Sequence, residues 1–550
     1  MLPHTADIHD FNQLAAAFRW EVPKHYNIGV DVCDKWSHEA ARVALIHKPA
    51  VGDNVEYTFA DIRRLSNQTA NLFLSDGLVR GDRVAVLLPQ QPETAIAHVA
   101  IYKMGGIAVP LFNLFGIEAL EYRLADSGAR AVITDLAGAS KLRELLHRLP
   151  KLQIIYTIDG VSSTSVGFNE GLLRQRVDFE PAVTDADDPA LIIYTSGTTG
   201  SPKGALHAHR VLLGHLPGVE LSHDFAPQSG DRFWTPADWA WIGGLYDVLL
   251  PAWHHGIPVV SHRFAKFEPE AAFQLIDDLG VRNAFLPPTA LKMMRTVANP
   301  RARWRLDMRS IASGGESLGR ELLQWGHQTF DLTINEFYGQ TECNMVISSC
   351  GKIRVTRAGR IGKAVPGHRV AIVNASGNPV PAGVAGNIAV ERSSPVMFLR
   401  YWNNDAATAA KFVGEWLLTG DLGESDADGY IRFISRDDDI ITSGGYRIGP
   451  GEVEDCLIGH PAVQLAAVIG VPDPLRTEIV KAFIVLRDGF EPSDLLVVEL
   501  QNHVKSRLSA HEYPRQIAFV ASLPMTTTGK IIRRELRNET EPQSAGHIRG

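Results

Sequence analysis

Residues 81–110 constrain the fold more than any other stretch of the chain. GDRVAVLLP (81–89) is an apolar run of strand length. Pro92-Glu93 then opens a helical pattern with Ala95, Ile96, Val99 and Ala100 on one face. Gly105-Gly106 stops that helix, and IAVP (107–110) resumes the strand pattern. Strand, helix and strand in so short a span is the crossover unit of a parallel sheet. Apolar runs at 131–134, 152–158, 190–194, 257–261 and 284–287, separated by helix-compatible stretches such as 269–279, repeat the theme. The expectation is an α/β body with doubly wound sheets over about 1–340.

The character changes near residue 345. Turn signals come thickly (Pro366-Gly367, Ser376-Gly377-Asn378-Pro379, Pro381-Ala382-Gly383) between strand-like runs at 369–373 and 387–391, which predicts a small β subdomain over about 345–435. After the polar SRDDD stretch a helix over 450–458, strands at 465–469 and 481–486, a helix over 494–508 and a strand at 517–520 predict a compact α+β domain over 436–550, which the resemblance given below implies to be mobile. The large N-terminal domain is therefore read as 1–435. At 550 residues the chain exceeds what one hydrophobic core supports, in keeping with this division.

Charge excludes some functions. With 54 basic and 62 acidic residues the net charge is −8, so neither nucleic acid nor an anionic membrane is the expected partner. The four cysteines are too few and too scattered for a disulfide framework or a zinc site, and the opening MLPHTADIHDF lacks the pattern of a secretory signal. The apolar stretch 240–260 carries Asp247, Pro251, His254 and His255, so it reads as buried core rather than a membrane span. A cytoplasmic enzyme is expected.

One loop stands out chemically. Tyr194-Thr195-Ser196-Gly197-Thr198-Thr199-Gly200-Ser201-Pro202-Lys203-Gly204 follows the strand run ALIIY and packs three glycines, five serine or threonine residues and a lysine into a short span. Such loops offer N–H and O–H donors to phosphate oxygens, although no Walker A pattern is present.

That run resembles the phosphate loop of the adenylate-forming enzymes, the family of acyl-CoA synthetases, luciferases and peptide-synthetase adenylation domains. Further segments resemble the family's motifs in the expected order: Ser313-Gly314-Gly315-Glu316, with Ser317 where proline is usual; Phe337-Tyr338-Gly339-Gln340-Thr341-Glu342; Thr419-Gly420-Asp421; Arg436 with Asp438 and Asp439; Gly444-Gly445-Tyr446-Arg447-Ile448; and Pro524-Met525-Thr526-Thr527-Thr528-Gly529-Lys530. The resemblance implies ATP/AMP, Mg²⁺ and coenzyme A as cofactors and co-substrates. It assigns the nucleotide to Thr195, Ser196, Gly197, Thr198, Thr199, Gly200, Lys203, Gly315, Glu316, Tyr338, Gly339, Thr341, Asp421 and Arg436, with Tyr338 on adenine and Asp421 on the ribose hydroxyls. Glu342 is the implied Mg²⁺ ligand, Asp438 the hinge, Gly445 and Arg447 the coenzyme A face, and Lys530 the catalytic lysine.

Physical chemistry agrees with these roles. A carboxylate attacking an α-phosphate is an encounter of two anions, so a lysine placed between them supplies charge where it is needed. A carboxylate is the hard oxygen ligand that Mg²⁺ takes alongside phosphates. For the acid, the resemblance makes Trp241, Ile242, Gly243 and Gly339 the pocket. Glycine at 339, where acetate-activating relatives carry tryptophan, implies room for a short- to medium-chain, branched or aromatic monocarboxylate. The activity implied is acid–CoA ligation through an acyl-adenylate.

Two alternatives remain at this point. One is loading of a carrier-protein thiol in trans, since about twenty residues follow Lys530 and no fused carrier is expected. The other is a non-catalytic nucleotide-binding regulator, which the presence of Lys530, Glu342 and Asp421 disfavours. Related synthetases also imply a protein acetyltransferase as a partner acting on Lys530, whose charge acetylation removes.

Overall fold

The computed structural model describes residues 2, 10–195, 202–436, 439–443, 446–474, 476–508, 512–526 and 530–538, without the side chains of Thr442, Tyr446 and Arg447. Two large sheets organise the N-terminal part. The first has eight strands, in the order Arg400–Tyr401, Lys203–Ala208, Pro189–Thr195, Ile107–Pro110, Arg83–Leu87, Ala131–Thr134, Ile154–Thr157 and Val166–Gly167. Its centre is parallel, as the crossover unit requires: Arg83–Leu87 pairs with both Ile107–Pro110 and Ala131–Thr134 in that sense. The intervening helix runs Pro92–Lys103, with Pro92 in its first turn, and the chain leaves it through Gly105 at a φ of +70°.

The second sheet has nine strands, with Lys363–Ala364, Cys343–Ser348, Ile334–Gln340, Ser310–Gly314 and Asn283–Phe285 leading from one edge. Ser310–Gly314 and Ile334–Gln340 are parallel, and Cys343–Ser348 returns antiparallel to the latter. One apolar core joins the sheets. It takes Val84, Ala131 and Leu191 from the first, Leu45, Phe233, Val259 and Phe285 from the second, and Leu212, Leu216 and Val219 from the helix Val211–Ser222. That helix is buried nearly all round, which its apolar sequence permits.

Residues 242–254 form a continuous buried helical run whose middle turn, Leu245–Leu249, is π-helical. Among the described residues no helix is long and apolar enough to cross a membrane, as expected for the 240–260 stretch.

The β-rich stretch after residue 345 serves three sheets. Val370–Val373, Gly386–Glu391, Trp416–Ser425 and Phe412–Val413 form a smaller antiparallel sheet, with Ile431–Arg436 paired to Trp416–Ser425. Cys343–Ser348 and Lys363–Ala364 instead extend the nine-stranded sheet, and Arg400–Tyr401 closes an edge of the eight-stranded one. The fourth sheet is built from Tyr446–Ile448, Ile441–Ser443, Thr477–Leu486 and Val463–Asp473, with Gln516–Phe519 parallel to Thr477–Leu486. It packs around its own apolar clusters with the helices Pro450–Ile458 and Asp494–Arg507.

Candidate active site

The hydroxyl-rich loop joins two antiparallel strands, Thr195 pairing with Lys203, so it is the tip of a hairpin rather than a strand-to-helix turn. Ser196, Gly197, Thr198, Thr199 and Gly200 lie outside the described residues, and its two stems are described. The stem is braced by the Tyr194 hydroxyl, which donates to Asp126 Oδ2 at 2.6 Å. Lys203 Nζ sits 5.4 Å from the Tyr401 ring centroid. The hydroxyl of Tyr401 in turn donates to Glu342 Oε1. Burial, reinforced by the Glu342 carboxylate, drives the Tyr401 phenol above its ordinary range, so it stays a donor. A cation and a carboxylate thus flank one aromatic ring at the base of the loop.

Beside them lies a second constellation. The Tyr338 hydroxyl donates to Asp421 Oδ2 at 2.6 Å, and Gln340 Nε2 donates to the same oxygen at 2.7 Å and to the Thr419 carbonyl at 2.9 Å. Arg436 Nη1 lies 3.5 Å from Asp421 Oδ1. Burial, and then Asp421, raises the Tyr338 phenol well above its usual value. Strand pairing explains the assembly, because Asp421 and Arg436 are directly opposed partners. Thr341 follows Gln340, and His207 is buried behind its backbone, its pKa lowered to about 3 by desolvation so that the imidazole is neutral.

A third group gathers around Gly315. Gly315 adopts a φ of +101°, in the region that favours glycine, and a Cβ added there would lie 3.6 Å from Trp241 Cη2 and 3.7 Å from Lys530 Cε. The C-terminal turn therefore delivers Lys530 beside Gly315 and Trp241. It is held by a backbone hydrogen bond from Thr526 to the Lys530 carbonyl at 2.7 Å and by the Lys530 N–H donating to Thr526 Oγ1 at 3.0 Å. Glu316 lies 3.6 Å from Lys292 Nζ. Trp241 packs on Phe285, and Phe285 on Phe337, with ring centroids 5.5 and 5.3 Å apart. Ile242 is buried next to them.

The two pocket glycines behave differently. A Cβ at Gly243 would meet Phe285 Cε1 and Trp241 Cζ3 at 3.0 Å, so glycine there lets two aromatic side chains close over the backbone. At Gly339 a Cβ would lie 2.4 Å from Met345 N and 2.5 Å from Asn344 Cα. The pairing slips between Tyr338 and Gln340, which folds the backbone of 344–345 against Gly339. The volume expected to open at 339 is filled by strand backbone in this fold. Glycine there answers to a bulge.

The C-terminal unit closes over a cavity of about 480 Å³ whose lining includes Ser317, Glu336, Phe433, Glu452 and Asp455. A Cβ at Gly319 would lie 2.7 Å from the Asp455 carboxyl, a measure of how close the two parts come. Burial pushes Glu336 and Asp455 up to about 7 each. Asp438 and Gly445 fall outside the described residues, as does the side chain of Arg447. Asp439, next to the expected hinge, is gripped by Arg537 at 2.7 Å and Arg533 at 3.5 Å.

The sequence reading missed Tyr401, Gln340 and Thr419. Gln340 lay inside a quoted motif without a role, and nothing near Tyr401 marks a two-residue strand that pairs with the loop stem. For Mg²⁺, Glu342 supplies one buried carboxylate with no ion pair among the described residues. No cluster of three or more His, Cys, Asp or Glu side chains suited to a metal occurs among them. One carboxylate fits an ion whose other ligands are phosphates and water.

Residues 35–402 match the AMP-binding enzyme family, and residues 452–530 match the AMP-binding enzyme C-terminal domain. Over 511 residues the chain is 36% identical to an acetyl-coenzyme A synthetase of Bacillus subtilis, covering 90% of this chain and 87% of that protein. It is 34% identical to the human mitochondrial acyl-coenzyme A synthetase ACSM4, covering 94% and 91%. In three dimensions it is similar to the anthranilate CoA ligase AuaEII solved with anthranoyl-AMP, with a TM-score of 0.87 and 30% identity over 96% of this chain and 98% of that one. A benzoate CoA ligase from Burkholderia xenovorans gives 0.82 and 26%, over 93% and 100%. With both family matches in sequence order and relatives of more than 30% identity along nearly the whole chain, the chain belongs to the AMP-binding enzymes, in the branch of the acyl-CoA synthetases.

Proposed function

We propose that the acid activated by this AMP-forming acid–CoA ligase is a short- to medium-chain, branched or aromatic monocarboxylate. The observation that carries the reading is the meeting of Lys530, Gly315 and Trp241, with Lys530 Cε and Trp241 Cη2 both within 4 Å of one Cβ position. This supports reading Lys530 as the cation beside the acid's carboxylate, with Trp241, Ile242, Phe285 and Phe337 as the walls of the acid's pocket.

In the first half-reaction the acid carboxylate attacks the α-phosphorus of ATP, pyrophosphate leaves, and an acyl-adenylate forms. The Lys530 ammonium offsets the repulsion between the two anions and the charge that builds on the phosphoryl oxygens. Asp421 is the ribose acceptor, held in orientation by Tyr338, Gln340 and Arg436 before nucleotide arrives. Thr341, Thr195 and Lys203 are read as phosphate ligands, with the hydroxyl-rich run between the last two as further donors. Glu342, oriented by Tyr401, would hold Mg²⁺, which when bound neutralises phosphate charge. In the second half-reaction coenzyme A attacks the acyl carbon and AMP leaves.

In this reading residues 1–435 hold ATP and acid, and 436–550 turn about Asp438 to exchange Lys530 for the face carrying Gly445 and Arg447. The test is Lys530→Ala. Acid-dependent pyrophosphate exchange should fall by about 10²–10³ or more, the usual cost of one preorganised transition-state donor. Conversion of preformed acyl-adenylate and coenzyme A should continue. Exchange at the wild-type rate would remove Lys530 from the mechanism.

Lys530 is solvent-exposed at the cleft, which supports the further reading that an acetyltransferase controls it. Native protein carrying unmodified Lys530 under every carbon supply would count against that. Placement in the cytoplasm rests on four free cysteines, three of them buried.

A further inference from the structure

The turn that carries Lys530 is anchored at its exit by a side chain with no part in the chemistry above. Met525 bridges Ile531 across the turn, and the Ile532 N–H donates to the Pro524 carbonyl at 2.9 Å. Arg533 comes next, opening the short helix Arg533–Asn538. Its Nη2 donates to both carboxylate oxygens of Glu454, at 2.7 and 2.8 Å. Its Nε donates to the Val468 carbonyl at 3.2 Å, and its Nη1 reaches Asp439 Oδ2 at 3.5 Å. Glu454 Oε1 also accepts from the Val468 N–H at 2.8 Å, and Asp439 Oδ1 accepts from Arg537 Nη2 at 2.7 Å.

Each partner of Arg533 lies on a different part of the C-terminal unit. Glu454 is in the helix Pro450–Ile458, Val468 is in the strand Val463–Asp473, and Asp439 follows the proposed hinge residue. The charged side chains are largely buried, with 21% of Arg533, 11% of Glu454 and 13% of Asp439 exposed. Desolvation offsets much of the attraction in such a network, so apolar side chains would stabilise the unit about as well. What the guanidinium adds is direction. Bound through all three of its nitrogens, a rigid planar group fixes distance and angle together.

Distance and angle are what Lys530 needs. Lys530 is exposed, so the backbone of its turn sets where the ammonium goes. Its Cε stands 3.7 Å from the Cβ position of Gly315, and Arg533 is three residues further along the chain. We propose that Arg533 is a positioning residue for the adenylation half-reaction. It locks the exit of the Lys530 turn to Glu454, Val468 and Asp439, so that a rotation at residue 438 carries Lys530 to Gly315 without slack. The inference rests on the acid–CoA ligase reading and adds the residue that places its cation.

Misplacing a reacting group by about 1 Å costs on the order of 10²-fold in rate, which sets the scale of the expected effect. A merely supporting role for Arg533 has a different signature. The face carrying Gly445 and Arg447 belongs to the same C-terminal unit, so loosening that unit slows both half-reactions together. Loss of Lys530 placement slows the first alone.

The experiment measures both half-reactions on one preparation. The first is pyrophosphate exchange with the best acid among acetate, butyrate, hexanoate and benzoate. The second is conversion of that acid's preformed adenylate with coenzyme A. Arg533→Met should lower kcat for exchange by about ten- to a hundredfold, with KM for ATP and acid within about threefold of wild type. The second half-reaction should also stay within about threefold. Arg533→Lys, which keeps the charge without the fork, should recover part of the exchange rate. Glu454→Gln should lower exchange as well, and the double variant with Arg533→Met should be no slower than the slower single variant. If Arg533→Met fails to fold, the ratio of the two half-reactions in Arg533→Lys and Glu454→Gln decides in the same way. Exchange at the wild-type rate, or an equal fall in both half-reactions, overturns the inference and leaves the ligase reading standing. Wild type giving no exchange with any of the four acids overturns both.

Discussion

Replacing the two pocket glycines separates a backbone constraint from a pocket constraint. At Gly339 an added methyl would stand 2.4–2.6 Å from Met345 N, Asn344 Cα and Asn344 Oδ1. Two of these are main-chain atoms in a paired strand, so the strand must move. Inserting a methyl into such packing costs about 1–3 kcal/mol. That converts to about 2–4 °C in melting temperature per kcal/mol in a unit of 150–250 residues, and less in a larger one.

Gly243→Ala meets only the ends of Phe285 and Trp241 side chains, at 3.0 Å, which can yield by a few tenths of an ångström. The expectation is a lower melting temperature for Gly339→Ala, with kcat/KM falling by similar factors for acetate and benzoate. For Gly243→Ala the melting temperature should stay close to wild type, while the benzoate-to-acetate ratio falls about tenfold or more, as one methylene in an apolar pocket allows. Thermal unfolding and AMP release read both variants. If Gly339→Ala melted with wild type and Gly339→Trp merely shifted preference to acetate, the strand-backbone account of position 339 would be refuted.

Tyr338→Phe removes a hydroxyl that donates to Asp421, so KM for ATP should rise about tenfold, the scale of one hydrogen bond to a charged group, with acid KM little changed. Tyr401→Phe releases Glu342, and should raise the Mg²⁺ concentration that supports half-maximal exchange, read by titrating Mg²⁺ at fixed ATP. Docking of the C-terminal unit should depend on pH. Asp455 and Glu336 are raised to about 7 by burial; Glu454, Glu316 and Glu452 add to the rise of Asp455 while Lys292 opposes it, and Asp455 adds to that of Glu336. A raised carboxyl keeps its proton in the docked state at pH values where the undocked group has lost it, so docking weakens as pH rises from the ordinary carboxylate range to about 7, by up to about tenfold per unit for each such group, and levels off above that. Pyrophosphate exchange measured from about pH 5 to 8.5 should fall toward pH 7 and then flatten in wild type, and fall more shallowly in Asp455→Asn.

The elements the sequence names were legible because their signals are local. The crossover at 83–110, the helix Pro269–Asp278 and the strands of the C-terminal sheet follow hydrophobic period, proline entry and glycine exit, within a residue or two at most boundaries. The motif residues were legible too, since a phosphate loop or a terminal lysine motif is a short contiguous string. Tertiary structure alone decided what lies opposite what. It paired Asp421 with Arg436, put Tyr401 between Lys203 and Glu342, and brought Lys530 to Gly315 across more than two hundred residues. It also turned Gly339 from an expected opening into a bulge, and set Asp247, which the sequence offers only as one polar residue in an apolar run, against Asn344. The reason is physical: periodicity and turn chemistry report which face of an element is buried, while the partner on that face depends on register and on strand order, which no local stretch encodes.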